Sequence, residues 1–339
     1  MLGLRKRARG DRDLGLDEVP RPVPGPEQVL VEVHATGICG TDLHIRDDEF
    51  ASLPPVVMGH EVTGRVVEAG PGAEAHVGRR VALETYFHTC DQCSYCRAGQ
   101  RNLCPERRSI GSHVNGGFAS HVLVPATNLH DVAPLVSDHA GALYEPLACV
   151  AHCLCDPAVA SPGDRALVVG PGAMGILAAQ VLRAQGAAVT VSGTTRDVAR
   201  LAVVDTLGLT TVTADSLAAA TPGGGFDVVA DCSGSPAGID AGLRATRRGG
   251  QYVQIGLAGR PIELDIDLVC LRELTVTSGF ASTPRSWQRA EVLVDGGHVR
   301  LEPLVSGAFP LARWQDAFER TSRAEGLKLV IDPRLGGGA

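Results

Sequence analysis

The sequence predicts an α/β protein in which a β-rich region is followed by a doubly wound parallel sheet. At 339 residues the chain is longer than one hydrophobic core usually serves, so two domains are expected. The first third contains QVLVEVHATGICG and EVTGRVVEAGPGA, apolar segments broken by glycine turns that are typical of antiparallel strands. The later segment RALVVGPGAMGILAAQVLRAQGAAVTVSG is an apolar strand, a glycine turn, a helix and a second apolar strand. Continuous apolar strands indicate a parallel sheet with helices on both faces.

The change of pattern near residue 147 marks the first predicted domain boundary. Residues 1–147 are expected to form the β-rich domain and residues 148–283 the domain of the parallel sheet. Two further apolar segments, FDVVADCSG and QYVQIGLAG, extend that sheet. From Thr283 onward the pattern returns to mixed elements, so residues 284–339 form a C-terminal segment that ends with the strand LKLVID.

Composition excludes several classes of function. Hydrophobic residues make up 44% and charged residues 20%, as in ordinary globular proteins, and a net charge of −7 gives no general attraction to nucleic acid or anionic lipid. No apolar run reaches the roughly 18 residues that span a bilayer, and no apolar segment follows the basic start MLGLRKRARG. A cytoplasmic protein is therefore expected. The only lysines are Lys6 and Lys328, near the two ends of the chain, which gives a Schiff-base mechanism little support.

The segment CDQCSYCRAGQRNLC predicts a metal site. Its cysteines are separated by two, two and seven residues, and they are Cys90, Cys93, Cys96 and Cys104. Four thiolates in one short loop suit a tetrahedral Zn²⁺, and a chain with its own core in a reducing compartment has no need of disulfides. Thiolates also suit an iron–sulfur cluster, but nothing else in the chain resembles an electron-transfer partner. A site with four protein ligands leaves no place for substrate, so we expect it to hold the loop in shape.

A second group of ligands predicts a metal site with an open position. Cys39 lies in GICGTDLH, and His60 and Glu61 lie in MGHEVTG, where glycines place the side chains at turns or strand ends. Three protein ligands with a fourth position for water or substrate are the arrangement of a catalytic zinc. Glu145, in GALYEPLACVAHC, is either an acid at a helix N-terminus or part of this metal site. We favour the metal site, with Glu145 as a ligand or as an acceptor from metal-bound water.

The remaining cysteines are interpreted as buried small residues. Cys149, Cys153 and Cys155, together with His152, could suggest another metal site. Their helical spacing in an apolar segment favours burial instead, and Cys232 and Cys270 are interpreted in the same way.

The glycine turn of the βαβ unit predicts a dinucleotide site. Gly170, Gly172 and Gly175, with Ala173 and Met174 between them, follow a strand and open a helix. In that context the glycines let the backbone approach a pyrophosphate at the helix N-terminus.

The end of the second strand favours NADP over NAD. An NAD site usually has an acid about 20 residues after the glycine turn, and here Gly193 occupies that place. Thr194, Thr195 and Arg196 offer hydroxyl groups and a guanidinium that suit a 2′-phosphate. Asp197 keeps the NAD alternative open, because a shift of the loop could bring its carboxylate to the ribose.

These motifs together resemble the zinc-dependent medium-chain dehydrogenases/reductases of the alcohol dehydrogenase superfamily. The resemblance covers nearly the whole chain and rests on GICGTDLH, GHEVTG, the four-cysteine lobe, GPGAMG and the tail EPLVSGAFPLARWQDAFE with GLKLVI. The segment GALYEPLACVAHC is most similar to the sorbitol (polyol) dehydrogenase branch, where a glutamate replaces a zinc-binding cysteine of typical alcohol dehydrogenases. NAD-linked members of that branch have an aspartate where this chain reads VSGTTRD.

The resemblance implies a role for each candidate residue. Cys39, His60 and Glu61 match the catalytic zinc set, Glu145 matches the acid that contacts the zinc or its water, Thr41 and His44 match a hydroxyl–imidazole proton relay, and Cys90, Cys93, Cys96 and Cys104 match a structural zinc. It also implies a GroES-like catalytic domain completed by the C-terminal segment, a Rossmann cofactor domain inserted into it, and a substrate cleft between the two. Members of the family are usually homodimers or homotetramers.

The resulting prediction is a zinc-dependent oxidoreductase that interconverts a secondary alcohol and a ketone by hydride transfer with NAD(P). The substrate is expected to be a polyol or a sugar-derived alcohol, with zinc acting as a Lewis acid and the cofactor performing the redox step. Two alternatives remain open: an amino-alcohol dehydrogenase of the threonine type, and a non-catalytic protein that binds NADP or zinc. No nucleic acid and no membrane partner is expected.

Overall fold

The computed structural model of the chain describes residues 1–10 and 13–336. Its fold is built on two large β-sheets. A mainly antiparallel sheet belongs to a unit formed by Met1–Glu145 and Val305–Ala339, and a parallel sheet belongs to a unit formed by Pro146–Leu304. The predicted α/β class, with a β-rich part and a doubly wound parallel sheet, is confirmed.

The helices and strands follow one another in three stretches. The first stretch supplies β1 (Leu2–Lys6), β2 (Leu14–Glu18), β3 (Gln28–Gly37), α1 (Gly40–Arg46), β4 (Val56–Val57), β5 (Glu61–Ala69), β6 (Arg80–Leu83), β7 (Tyr86–His88), α2 (Ser94–Arg97), β8 (Arg108–Ser109), β9 (His121–Pro125), β10 (Leu129–Asp131), α3 (Asp138–Gly141) and α4 (Tyr144–Cys155). The second supplies β11 (Arg165–Val169), α5 (Ala173–Ala184), β12 (Ala188–Gly193), α6 (Val198–Thr206), β13 (Thr210–Thr213), α7 (Leu217–Ala220), β14 (Phe226–Asp231), α8 (Pro236–Ala245), β15 (Thr246–Gln254), α9 (Asp267–Leu271), β16 (Thr275–Ser278) and α10 (Pro284–Asp295). The third supplies β17 (Val305–Phe309), α11 (Trp314–Ser322) and β18 (Lys328–Ile331).

The β-rich unit joins the two ends of the chain in one sheet. Its strands follow the order β10-β6-β5-β3-β18-β17, and β9 also pairs with β3. The C-terminal strand β18 pairs antiparallel with β3, placing Val330 opposite Gly37 and Ile331 opposite Thr36. Alternating aliphatic residues of β3, β5 and β9 are buried, because one face of such a sheet must cover a core. The carboxyl end of β3, where GICG begins, therefore lies beside the last strand of the chain.

The parallel unit has the strand order β13-β12-β11-β14-β15-β16. This is the 3-2-1-4-5-6 order of a doubly wound sheet, whose order reverses between β11 and β14. Ligands of such sheets bind beyond the carboxyl ends of the strands at that reversal. Helices α8 and α10 each start at a capping residue, Ser235 and Thr283, whose side chain accepts a hydrogen bond from a backbone amide and which is followed by a proline.

The observed units divide the chain at Glu145/Pro146 and at Leu304/Val305, whereas the predicted boundaries lie at 147/148 and 283/284. The second difference has a physical cause. The side chain of Gln180, on α5, exchanges two hydrogen bonds with the backbone of Arg300, at 2.8 and 3.2 Å. These bonds tie the residues after α10 to the parallel unit.

The burial predicted for the scattered cysteines is wrong for Cys270. Cys153 is buried, while Cys149, Cys155 and Cys232 are partly exposed. Cys270 is exposed because α9 is a five-residue helix with no buried residue. Within residues 1–10 and 13–336, no helix is both long and apolar enough to cross a membrane.

Candidate metal and cofactor sites

The four cysteines of the loop converge on one point, as the sequence predicts. Their sulfur atoms, from Cys90, Cys93, Cys96 and Cys104, all lie within 4.8 Å of one another. Two separations are 3.6 Å, between Cys90 and Cys104, and 4.0 Å, between Cys90 and Cys96. A tetrahedral Zn²⁺ with bonds of about 2.3 Å to sulfur separates its ligands by about 3.8 Å, so the spacing fits this ion.

Backbone amides prepare these sulfurs for a metal. The amides of Cys93 and Cys96 donate to the sulfurs of Cys90 and Cys93 at 3.3 and 3.4 Å. Amide donors from Gln92 and Cys93 lower the pKa of the Cys90 thiol to about 7, whereas burial and neighbouring sulfurs raise the pKa of Cys96 to about 12. Full ionisation of all four therefore requires a cation among them.

The second ligand group also assembles. Cys39 immediately precedes α1, His60 immediately precedes β5, and Glu61 is the first residue of β5. One ligand atom from each lies within 4.8 Å of the others. Gly37 faces Glu61 across the β3–β5 ladder, and a Cβ at Gly37 would collide with the Glu61 carboxylate. The glycine of GICG thus makes room for the acid of GHE.

A residue absent from the sequence prediction, Asp42, organises two of these ligands. Its side chain is fully buried. One oxygen accepts the backbone amide of Cys39 at 2.9 Å, and the other lies 3.5 Å from Nδ1 of His60. With a carboxylate next to Nδ1, Nε2 of His60 is the ring atom available to a metal. Burial lowers the pKa of His60, but Asp42 and the Cys39 sulfur outweigh it and raise that pKa, so a proton competes with metal here.

A lysine lies against the third ligand. Lys328 Nζ is 2.7 Å from each carboxylate oxygen of Glu61 and 3.2 Å from the carbonyl oxygen of Ile38. Burial lowers the pKa of Lys328, but the charges of Glu61, Cys39 and Glu145 more than compensate and raise it. Each carboxylate oxygen has two lone pairs, so Glu61 can still present one to a metal. The contact of Lys328 with Glu61 is not among the contacts that the sequence predicts.

Glu145 lies near this group but outside it. It is buried in the first turn of α4, and its charge acts on Lys328. Among the described residues, the metal-binding cluster contains Cys39, His60 and Glu61 without Glu145. Its predicted role, as a ligand or as an acceptor from metal-bound water, remains a prediction.

The residues of the predicted proton relay lie on α1. Thr41 and His44 are three positions apart, which places them on one side of the helix. The hydroxyl of Thr41 is 3.6 Å from the sulfur of Cys39. His44 Nδ1 is 2.6 Å from a carboxylate oxygen of Glu49, another residue absent from the sequence prediction.

The glycine turn of the parallel unit lies between β11 and α5. Gly170 follows β11 and has a φ of +98°, and Gly172 is the residue before the first turn of α5, which contains Ala173, Met174 and Gly175. A Cβ on Gly172 would meet no atom within 4 Å, so its backbone borders open space. Free amides at a helix start next to open space suit a pyrophosphate.

In the loop after β12, the side chain of Asp197 is bonded to neighbouring residues. One oxygen of Asp197 accepts the amide and the hydroxyl of Thr194 at 2.9 and 2.7 Å, and the other lies 3.4 Å from Arg200. Thr194, Thr195 and Arg196 are exposed. A Cβ on Gly193 would come within 2.8 Å of Pro171 in the glycine turn, so an acid in that place would force the two loops apart.

Two family models match the chain. One, described as an alcohol dehydrogenase GroES-like domain, matches residues 25–134, and one described as a zinc-binding dehydrogenase matches residues 173–295. The first range contains the two candidate metal sites, except for Lys328 and Glu145. The second contains Ala173, Met174 and Gly175 of the glycine turn and the whole loop after β12, but begins after Gly170 and Gly172.

Curated relatives match nearly the whole chain. A sorbitol dehydrogenase of Halalkalibacterium halodurans is 33% identical, over 98% of this chain and 99% of the relative. A D-arabitol-phosphate dehydrogenase of Enterococcus avium is also 33% identical, over 98% and 97%. An L-threonine 3-dehydrogenase of Saccharopolyspora erythraea is 34% identical, over 94% and 95%. A solved structure of a zinc-binding dehydrogenase from Sinorhizobium meliloti, bound to NADP, has a TM-score of 0.88 and 32% identity, covering 98% of this chain and 99% of the other.

Proposed function

The chain belongs to the zinc-binding dehydrogenases of the alcohol dehydrogenase superfamily, and on that premise we propose that it interconverts a secondary alcohol and a ketone. It is an NAD(P)-linked enzyme. The proposed substrate is a polyol or a sugar-derived alcohol, in line with relatives named for sorbitol and D-arabitol phosphate. The observation that carries this proposal is the group of Cys39, His60 and Glu61, three potential ligands where a tetrahedral zinc takes four.

The donor set fits a catalytic zinc. Cys39 and His60 supply the sulfur and imidazole that Zn²⁺ prefers, and the buried carboxylate of Asp42 lies 3.5 Å from the other ring nitrogen of His60. When bound, the zinc supplies a Lewis acid and the nicotinamide a hydride acceptor. Lys328 balances the charge of Glu61, which would otherwise be a buried anion beside a thiolate.

The protein's own contribution to the reaction is proton transfer. Thr41, next to the Cys39 sulfur, has a hydroxyl that can accept the alcohol proton and pass on its own. His44, one turn further along α1 and partly exposed, can carry that proton to solvent. Glu145 is proposed to hold a water or the substrate at the metal site.

The second proposed zinc is structural and bound by the four-cysteine loop. The sulfur separations near 3.8 Å and the amide donors around Cys90 support it. Because this loop offers no open ligand position, the second ion contributes to folding and not to turnover.

NADP is proposed as the preferred cofactor. Asp197, the acid available to a ribose hydroxyl, is already bonded to Thr194 and Arg200, while the Arg196 guanidinium is exposed at the loop. A solved relative is bound to NADP, which is in line with this preference.

The chain is also proposed to form a homodimer or homotetramer. β16 is an outer strand of the parallel sheet, and its four residues, Thr275–Ser278, are all exposed and uncharged. An edge strand without charges can pair with the same edge of a second copy. Sedimentation equilibrium should find an oligomer that Val276→Lys weakens, and a monomeric wild type would contradict the proposal.

A substrate panel tests the proposed reaction. Zinc-replete protein is incubated with sorbitol, D-arabitol phosphate, (2R,3R)-butanediol or L-threonine, with each nicotinamide cofactor, and the absorbance of the reduced cofactor is followed. The expected result is turnover of a polyol with NADP. Preference for L-threonine would favour the amino-alcohol alternative, which is included because an L-threonine 3-dehydrogenase is 34% identical to the chain. No turnover with any alcohol would refute the proposed reaction.

A further inference from the structure

His44 forms a pair with Glu49, an acid to which the proposed function gives no role. Nδ1 of His44 lies 2.6 Å from Oε2 of Glu49, a short hydrogen bond. The imidazole is about 30% exposed and the carboxylate about 51% exposed. A pair this exposed contributes little to folding stability. Its main effect is therefore expected on the protonation and orientation of the His44 ring.

Backbone hydrogen bonds hold Glu49 beside His44. The carbonyl oxygen of His44 accepts the amides of Glu49 at 2.8 Å and of Phe50 at 3.2 Å. Asp48, between α1 and Glu49, has a φ of +59°, so the chain reverses direction there. Glu49 is therefore bonded to His44 through both its backbone and its side chain.

Residues of the N-terminal segment, Lys6 and Gly10, contact the chain where it reverses. Lys6 is fully buried, donates to the carbonyl oxygen of Arg46 at 2.9 Å and lies 3.2 Å from the Asp48 carboxylate. The amide of Gly10 donates to the same carboxylate at 2.6 Å. These contacts hold the backbone at Arg46 and Asp48, directly before Glu49, while the amide of Glu49 itself is held by His44.

The contact decides which ring nitrogen carries the proton. A carboxylate accepts hydrogen bonds, so Nδ1 of a neutral His44 must hold the hydrogen and donate it. Nε2 is then unprotonated and is the only ring atom that can accept a proton. A base that is oriented by a third group is a recurring arrangement in proton-transfer catalysis.

We propose that Glu49 is a positioning residue that holds His44 in the tautomer with a free Nε2, ready to accept the proton passed on by Thr41. This inference rests on the proposed function, since it assigns Glu49 a role in that proton relay. Glu49 itself takes up no proton in the step: Nε2 of His44 gains one proton from the relay and returns it to solvent.

Nitrogen-15 NMR of the histidine rings tests the inference without substrate or cofactor, and independently of catalytic activity. The His44 signals are assigned with His44→Gln, and the spectra are recorded where His44 is neutral. The wild type is expected to carry its hydrogen on Nδ1, and Glu49→Ala is expected to move it to Nε2. Glu49→Gln, whose amide oxygen can still accept, should retain the Nδ1 hydrogen. The control Asp47→Ala removes a neighbouring carboxylate that pairs with Arg46, and should leave the tautomer unchanged. A hydrogen on Nε2 in the wild type would overturn the inference.

A double-mutant cycle tests the same inference in turnover, using the panel alcohol with the highest rate. Glu49→Ala is expected to lower kcat about tenfold with KM little changed, a part of the roughly 10²–10⁴-fold that acid–base catalysis supplies. In a His44→Ala background the same change should have no further effect, because Glu49 acts through His44. Equal losses in both backgrounds would refute the positioning role and leave the proposed reaction intact, whereas an inactive wild type would refute the reaction and leave the NMR result to decide the tautomer.

Discussion

Lys328 donates to both carboxylate oxygens of Glu61 at 2.7 Å, although 267 positions separate the two residues in the sequence. Both side chains are buried, with 7% and 1% of their surface exposed. The last strand of the chain thus supplies the cation that balances an acid of the candidate catalytic metal site. The contact joins the two sequence-distant parts of the β-rich unit, and it suggests a first test.

Lys328→Met should destabilise the protein by about 3–5 kcal/mol, because it leaves the Glu61 carboxylate buried without its partner. The free energy of unfolding is measured by urea titration of zinc-stripped protein. Zinc should reduce the loss, since the metal replaces Nζ as the neighbouring positive charge.

The other buried lysine provides the control for that variant. Lys6→Met should cost less, because the partner Asp48 is 29% exposed and can be rehydrated. A Lys328→Met/Glu61→Gln double variant should be more stable than Lys328→Met alone. Equal losses from the two lysine variants would argue against a buried anion at Glu61.

Asp42→Asn should weaken zinc binding at the open site by about 10–100-fold, the usual cost of losing a group that orients a metal-binding histidine. The asparagine oxygen can still accept the amide of Cys39, so the helix start is preserved. Zinc affinity is measured by competition with a chromogenic chelator. The four-cysteine site is the internal reference, and a comparable loss there would mean general unfolding.

Asp332→Asn should remove stability that the wild type has above about pH 4. Burial raises the pKa of Asp332, but hydrogen bonds from Arg334 and His139, at 2.8 to 3.0 Å, outweigh it and hold that pKa below the usual value. A lowered folded-state pKa stabilises the fold above the unfolded value of about 3.9, and this stability is lost as the pH falls through the folded value.

The expected difference between Asp332→Asn and the wild type is about 1–3 kcal/mol at neutral pH and shrinks towards zero below pH 4. Urea unfolding at a series of pH values measures it. Asp240→Asn, which breaks an exposed pair with Arg244, is the control and should change stability by less than about 0.5 kcal/mol. A difference that grows as the pH falls would contradict the assigned sign.

Arg196→Ala should weaken NADP binding about tenfold or more and NAD binding little, because the guanidinium is proposed to pair with the 2′-phosphate. Calorimetric titration gives both dissociation constants. Asp197→Asn is the companion variant, and it should weaken both cofactors alike by loosening the Thr194 cap. A selective loss of NAD in Asp197→Asn would place that acid on the ribose instead.

Local motifs made much of this architecture predictable. The sulfurs of the four-cysteine loop converge, as their short spacing within fifteen residues predicts. The glycine turn lies between a strand and a helix, as its flanking residues predict, because apolar periodicity defines both elements.

Contacts between distant segments were not predictable in the same way. Lys328 meets Glu61 only because β18 pairs with β3, and no local pattern in LKLVID indicates that partner. Asp42 and Glu49 lie within or beside the segment GICGTDLH, yet their roles depend on where His60 and His44 point. Both lysines of the sequence, Lys6 and Lys328, prove to be buried, which their places near the chain ends do not indicate.

Parallel zinc and turnover measurements on Cys39→Ser and Cys93→Ser test the central claim most directly, which is that the open site of Cys39, His60 and Glu61 is the catalytic one. Wild-type protein is expected to hold two zinc ions per chain, and each variant one. Cys39→Ser should stay folded with no measurable turnover, while Cys93→Ser should unfold at lower temperature because its loop has lost the structural ion. Full turnover by Cys39→Ser, or an unchanged zinc content in that variant, would contradict the account.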